Sequence, residues 1–295
     1  MSANIYKNKK PLFFFLFPAF FFIGLFLYYP FFQNIINSFQ HIKVLGSGGN
    51  GWNEPWYENY VKLFTDPVVR ISLINTLKMI LVTIFGQVGI ALFLALLVDN
   101  IPWGGSLFRT VYFFPIVISA TALGLLFNLV FLYDKGMINQ ILEMFGRTEL
   151  IDWKGKGLAL FTMMLPVMWQ YVGFYFVIII TGLNNISGEL YEVASIDGAT
   201  KLQRVRYITL PLVRNVVCTC VVLAVTGALK VFDLPWTMFP KGIPTKSTFL
   251  TGTYMYYQTM EAKNIDYGST LALMIVILGV VLSKVVNMVF HEKEY

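Results

Sequence analysis

Lys230 and Asp233 stand with Phe232 and Trp236 in one apolar stretch of the chain, and Trp169, Gln170, Tyr171, Phe174 and Tyr175 stand together in another. Amide, carboxylate and ammonium groups bond hydroxyls, and aromatic faces stack on the C–H surfaces of saturated rings. The two sets therefore suit a polyhydroxylated ligand. On a helix, Gln170 shares a face with Phe174, and Tyr171 with Tyr175, because residues four apart are surface neighbours. A charge at the centre of a membrane span costs roughly 2.5–3.5 kcal/mol on insertion scales, so Lys230 and Asp233 are expected to face a bundle interior or a cavity. Three residues apart, they could partly neutralise each other. The competing reading makes Trp169 and Tyr175 core or lipid-facing aromatics, and Lys230 and Asp233 a structural pair near the outer membrane surface. Asn128 and Gln87 read as hydrogen-bonding glue between helices.

No set of residues reads as a catalytic centre. KGIPTKST ends like a phosphate-cradling loop, but Thr245 precedes Lys246 where G-x-x-x-x-G-K-[ST] needs glycine. HEKEY begins like H-E-x-x-H, but Tyr295 holds the second ligand position, and with two histidines in all, His41 and His291, a histidine metal site is not expected. No G-x-S-x-G elbow is present. Cys218 and Cys220 are two apart and do not share a helix face, so they read as small packing residues.

The elements that must position these residues follow from composition. Of 295 residues 57% are hydrophobic and 17% aromatic, and 13% are charged, about half the ~25% usual in a globular domain. Mean hydropathy is +0.65. A soluble enzyme, a disordered regulator and a disulfide-stapled secreted scaffold are excluded. The net charge of +6 does not imply nucleic acid, since basic residues flank membrane spans.

Charge-free gaps run over 11–42, 79–98, 110–133, 157–188, 215–229 and 267–283, or 32, 20, 24, 32, 15 and 17 residues. A helix needs about 20 apolar residues to cross ~30 Å of hydrocarbon. Four gaps suffice outright, and the last two are shortened by Lys230 and Lys284 within apolar runs that continue. Six transmembrane helices are predicted, near 12–38, 75–98, 108–133, 158–186, 211–236 and 267–290, as one all-α membrane domain over 1–295. Continuous apolar runs without period-2 alternation choose helices over a barrel.

The run from Leu12 to Phe32 is too long for a signal-peptide core and lacks a small-residue cleavage site, so it reads as an uncleaved first span. A cytoplasmic N-terminus places ten basic residues inside: Lys7, Lys9, Lys10, Arg109, Lys201, Arg204, Arg206, Arg214, Lys284 and Lys293. The other twelve lie outside or near outer span ends, so orientation rests on charge density and on the lysine cluster beside the first span. Lys284 is expected to snorkel to the interface.

Between the fourth and fifth spans lies ISGELYEVASIDGATKLQRVRYITLPLV. Glu189 and Glu192 sit early in a helical pattern, where carboxylates favour the positive helix end. Leu190, Val193 and Ala194 form an apolar stripe, and Asp197-Gly198 breaks the helix. A second short, basic helix through Lys201, Arg204 and Arg206 is expected, with Pro211 in the first turn of the next span. This helix–turn–helix elbow, 187–210, reads either as a solvated connector or as a docking surface, its small residues Ala194, Ser195, Gly198 and Ala199 letting another protein approach.

Glu192-Val193-Ala194, Asp197-Gly198-Ala199 and Ile208-Thr209-Leu210-Pro211 resemble the EAA loop of binding-protein-dependent ABC importer permeases. Gly198 follows Glu192 by six residues and Pro211 follows Gly198 by thirteen, as in that loop. Val193 replaces the usual alanine. The resemblance covers nearly the whole chain and is nearest to maltose-type sugar permeases: KNKKPLFFFLFPAFFFIGLFLYYPFFQNIINSF, ENYVKLFTDPVVRISLINTL, FRTVYFFPIVIS, WQYVGFYFVIIITGLNNIS and VFDLPWTMFPKGIPTKST all fall in order. In the last, Pro240 and Ile243 depart from the family's Thr and Gly.

The resemblance implies the type I ABC importer permease fold, with Glu192, Ala194, Asp197, Gly198, Ala199 and Pro211 in a coupling loop. That loop is cytoplasmic and docks on an ATP-binding subunit. It also implies a second similar permease, two ATP-binding subunits that hold ATP and Mg, an extracytoplasmic sugar-binding protein, and a prokaryotic inner-membrane location with the N-terminus in the cytoplasm. This chain itself would bind no cofactor, metal or nucleic acid and make no bond, and lipid would surround it. A membrane sugar site lined from the fourth and fifth spans would involve Trp169, Gln170, Tyr171, Phe174, Tyr175, Lys230, Phe232, Asp233 and Trp236. Alternatives are an ABC permease for another cargo such as glycerol phosphate, an ion-coupled secondary transporter, which usually shows inverted repeats, and a scaffold without cargo. The role of 39–73 stays open.

Overall fold

The computed structural model describes residues 10–42, 51–99 and 105–290. Lys7 and Lys9 of the leading cluster, His291, Lys293 and Tyr295 lie outside the described residues. Among the described residues five helices are long and apolar enough to cross a membrane: Leu12–Ser38, Pro67–Asp99, Ala159–Asn184, Lys201–Met238 and Ile265–Phe290. A sixth span results if Leu107–Val117 and Ala120–Val130 are counted together, although they meet at a 90° bend.

Three of the expected spans need correction. The third is not continuous over 108–133. Pro115 removes one i→i−4 bond, and Ser119, with φ −53° and ψ 131°, ends the first half before a new helix starts at Ala120. The fifth begins ten residues before Pro211, at Lys201, and the separate basic helix is its first turn. A π-turn over Val205–Thr209 carries the chain into Leu210–Lys230 and takes up the clash that Pro211 would otherwise cause with the preceding turn. Helix ends at Lys230, where Val231 is extended, and restarts at Asp233–Met238. The second span also starts earlier than 75, at Pro67, with the Asp66 carboxylate accepting from the Val68 amide 2.8 Å away.

The chain divides into two compact units, Met1–Thr65 with Met255–Met274, and Asp66–Tyr254 with Ile275–Tyr295. In the smaller unit the first span carries a ladder of phenylalanines, Phe13, Phe17 and Phe21 with centroids 5.7 and 6.0 Å apart, and leads into a short antiparallel pairing of Gln40 with Trp52 and His41 with Gly51. Asn34 accepts from the Ser269 hydroxyl at 3.0 Å, and Asn59 donates to the Asp266 carboxylate at 3.4 Å, with His41 3.9 Å from the same group.

The larger unit is built on the fourth span, whose buried positions include Met163, Val167, Phe176, Ile179 and Ile180. The second and fifth spans and both halves of the third pack on this stem. Gln87 donates to the Val167 carbonyl at 2.8 Å, as expected of a polar residue joining helices. Asn75 donates to the Ser247 and Phe249 carbonyls at 2.7 and 3.0 Å, and Thr251 donates twice, from its hydroxyl to the Leu229 carbonyl at 3.0 Å and from its amide to the Thr76 hydroxyl at 3.0 Å. Before the fourth span, Asn139 binds the Tyr133 and Ile151 carbonyls and receives the Trp153 indole N–H. Asn128 donates to the Thr237 carbonyl at 3.1 Å and accepts from Lys154 Nζ at 2.7 Å. Burial lowers the Lys154 pKa from its ordinary value.

Candidate functional site

A cavity of ≈ 350 Å³ lies in the larger unit where three helical ladders are interrupted. The second span contributes Thr83 and Gln87 from a π-turn over Thr83–Gly89. The third contributes Ala120 at its bend, and the fifth contributes Lys230, Val231, Phe232 and Asp233 at its break. Irregular backbone at membrane depth is tolerated where it lines a cavity or is otherwise satisfied. Each interruption here meets that condition, and the fourth span supplies the remaining wall through Gln170, Tyr171, Phe174 and Tyr175.

Seven of the nine sequence-selected residues thus share one cavity: Gln170, Tyr171, Phe174, Tyr175, Lys230, Phe232 and Asp233. Trp169 and Trp236 do not line it. Trp169 is turned away and packs edge-on against Phe127, centroids 5.9 Å apart, while Trp236 stacks on Phe232 at 5.6 Å and stands behind it. Lys230 and Asp233 do not neutralise one another as an ion pair. The helix breaks between them, so the i, i+3 geometry is lost, and both side chains are exposed.

Gln170 is nearly fully buried and donates from Nε2 to the Ile118 carbonyl at 3.3 Å. That carbonyl sits at the bend of the third span, where regular helical bonding is lost. With its amide N–H engaged there, Gln170 has no hydrogen-bond partner for Oε1 among the described residues, and it is positioned by the scaffold it lines. Gln87 does the same toward Val167. Thr83, Gln87, Ala120 and Thr226 line the cavity without having been selected from sequence as ligand-binding residues. Gln87 carried a signal, a polar side chain in an apolar run; Thr83, Ala120 and Thr226 carried none that separates them from packing residues.

The elbow is a second distinct region. Helix Gly188–Ile196 ends in a Schellman motif: the Gly198 amide donates to Ser195 O at 3.2 Å and the Ala199 amide to Ala194 O at 2.9 Å. Gly198 has φ +80°, which a Cβ would strain although nothing lies within 4 Å of where it would stand. Thr200 then caps the fifth span in a capping box with Gln203. Ser195 accepts from the Arg204 guanidinium at 3.0 Å across the turn, and Tyr191 OH meets Thr209 Oγ1 at 3.0 Å. Ala194 and Ala199 are half-buried, and Glu192, Asp197, Gly198 and Pro211 are exposed. Around them Ile196 is 85% exposed, Leu202 77% and Tyr207 69%.

The model of the family described as "binding-protein-dependent transport system inner membrane component" matches residues 87–291. The chain belongs to this family. It is 32% identical over 94% of its length, and 94% of the relative's, to the "probable ABC transporter permease protein YurN" of Bacillus subtilis. It is 29% identical to the "sulfoquinovosyl glycerol transport system permease protein SmoG" of Agrobacterium fabrum, over 94% of this chain and 89% of the relative. Its fold is similar to a chain of the "bacterial alginate ABC transporter in complex with alginate pentasaccharide-bound periplasmic protein", with a TM-score of 0.82 and 20% identity, over 95% of this chain and 93% of that one. The fold is that of a type I ABC importer permease, and the chain is a multi-pass membrane permease subunit. The match to the family model begins at Gln87, on the cavity wall, and takes in the elbow and every later span.

Proposed function

We propose that this permease carries a sugar or short oligosaccharide into the cytoplasm by ATP-driven alternating access. The observation that carries this reading is the cavity at three interrupted helices, which gathers Gln170, Tyr171, Phe174, Tyr175, Lys230, Phe232 and Asp233. Its amide oxygens, phenols and carboxylate accept from ligand hydroxyls, Lys230 donates, and Phe174 and Phe232 offer ring faces. At ≈ 350 Å³ it lies at the low end of small-molecule sites, ~300–1,000 Å³, so it holds a short saccharide or one end of a longer one. The names of the relatives, which include a sulfoquinovosyl glycerol permease, support a saccharide cargo. A lining with one cation, Lys230, and one anion, Asp233, carries no net positive charge, which favours it over glycerol phosphate.

The elbow residues Glu192, Ala194, Asp197, Gly198, Ala199 and Pro211 form the surface on which one of two ATP-binding subunits docks. Those subunits hold ATP and Mg. Their closure pulls the elbow, which is continuous with the fifth span and hence with Lys230 at the cavity. A second, similar permease completes the pathway, both compact units of this chain act as one permease domain, and an extracytoplasmic binding protein delivers the sugar, as the periplasmic protein of the alginate transporter suggests. The N-terminus and the elbow face the cytoplasm across a prokaryotic inner membrane.

The test is ATP hydrolysis in proteoliposomes holding this chain with its co-expressed neighbouring transporter subunits and binding protein, across saccharides from mono- to tetra-. Stimulation by one saccharide class is the expected result. Failure to assemble with an ATPase, together with uptake driven by an ion gradient, would replace this reading with a secondary transporter.

A further inference from the structure

The first half of the broken third span, Leu107–Val117, crosses the fourth so closely that a methyl on Gly173 would overlap the Tyr112 carbonyl. Glycine alone permits that approach. Tyr112 packs edge-on against Phe176 at the same crossing, centroids 5.2 Å apart, so the two helices are held rigidly there.

Beside this crossing runs an open crease of ≈ 380 Å³ lined by Arg109, Thr110, Phe113, Phe114, Val117 and Val177. It is polarised from end to end. A guanidinium stands at one end, and beyond Thr110 the walls are aromatic and aliphatic, with Phe114 62% and Val117 70% exposed. From Arg109 to Val117 the helix rises about 12 Å. Arg109 lies two residues past Leu107, where the apolar segment begins, and a cation there must reach the interface or meet an anion. Among the described residues Arg109 has no ion-pair or hydrogen-bond partner.

We propose that this crease binds one anionic phospholipid of the surrounding bilayer, its phosphate on Arg109 and an acyl chain along Phe113, Phe114 and Val117. The guanidinium fork matches phosphate oxygens two at a time, which an ammonium does not. An acyl chain is slender enough to lie lengthwise along Phe113, Phe114 and Val117, and the single cation at the end of the crease is matched by a single phosphate. Basic pockets between spans that hold lipid headgroups are an expected way to satisfy such a charge.

The test is native mass spectrometry of the full chain in detergent, titrated with phosphatidylglycerol or phosphatidylcholine. The wild type is expected to retain a single phosphatidylglycerol and to discriminate against phosphatidylcholine. Arg109→Gln is expected to weaken phosphatidylglycerol retention roughly fivefold, as for one lost basic contact near a membrane surface. Arg109→Lys should recover part of it, and Lys284→Gln should change nothing. Val117→Trp, which leaves the cation in place and fills the tail end, should also release the lipid, so the inference does not rest on one variant folding. Equal retention of the two lipids, or Arg109→Gln binding as the wild type does, would overturn it. So would loss of the lipid in the assembled transporter with Val117→Cys becoming unreactive to maleimide there, which would make the crease a subunit contact.

Discussion

The cavity and the elbow solve opposite problems with the same kinds of residue. At the cavity, polar side chains are buried and fixed by tertiary bonds: Gln170 to Ile118 in another span, and Gln87 to Val167 in another. At the elbow no residue of helix Gly188–Ile196 is fully buried, and the geometry is set almost entirely by bonds within a dozen residues. The cavity wall holds its groups while three helices are broken beside it, drawing rigidity from neighbours, as the proposed binding role requires. At the elbow Ile196, Leu202 and Tyr207 are left exposed and the shape is made locally by caps, which is what the proposed docking role requires. The two are joined by a single element, the helical run 201–230 that starts at the elbow's capping box and ends at Lys230.

This contrast can be broken at its largest effect by Gly198→Trp. The bulk crowds the proposed docking face and forces a non-glycine residue to φ +80°. Transport is expected to be lost with membrane insertion retained; near-wild-type uptake would refute the docking role. Gly198→Ala separates the causes. Its Cβ meets nothing within 4 Å, so only backbone strain of about 1–2 kcal/mol remains, and partial uptake is expected. Next in size is Gln170→Ala, which strips the part-buried Ile118 carbonyl of its partner and removes one cavity group. The lost carbonyl partner lowers stability, and losing one hydrogen bond to the sugar, about 1.4 kcal/mol, should raise the sugar concentration for half-maximal uptake about tenfold. An unchanged value would remove Gln170 from the site.

Smaller still is Tyr191→Phe, which deletes the bond to Thr209 and should lower thermal stability by about 1 kcal/mol without altering sugar preference. The smallest effect concerns Lys154. Its pKa is lowered by burial, so the folded protein releases that proton before the unfolded chain does. Stability should therefore rise with pH between the folded and unfolded values of this lysine, and Lys154→Met should abolish that increment in a melting series. The same slope in wild type and variant would place the titration elsewhere.

The elbow was legible in the sequence because its determinants are local. Asp197-Gly198 marks the turn, and a glycine is what a positive φ requires. The spans were legible because charges are excluded from lipid. What was not legible depends on tertiary choice. Pro115 was in plain view within FFPIVIS, but proline is tolerated in membrane helices, and the 90° bend at Ser119 follows from how the two halves pack on the fourth span and on Asp233–Met238. Trp169 and Trp236 were selected for their chemistry, yet the side of the helix they take is set by Phe127 and Phe232. Thr83, Ala120 and Thr226 look like any small residue in a span and enter the cavity only because neighbouring ladders are interrupted beside them.

The most direct test of this division of labour measures uptake and sugar-stimulated ATP hydrolysis side by side in proteoliposomes of the assembled transporter. Asp233→Asn at the cavity is set against Gly198→Trp at the elbow. The cavity variant is expected to lose uptake while binding-protein-stimulated hydrolysis persists, and the elbow variant to lose both. Stimulated hydrolysis and uptake that survive Gly198→Trp, or a cavity variant that transports normally, would contradict the account.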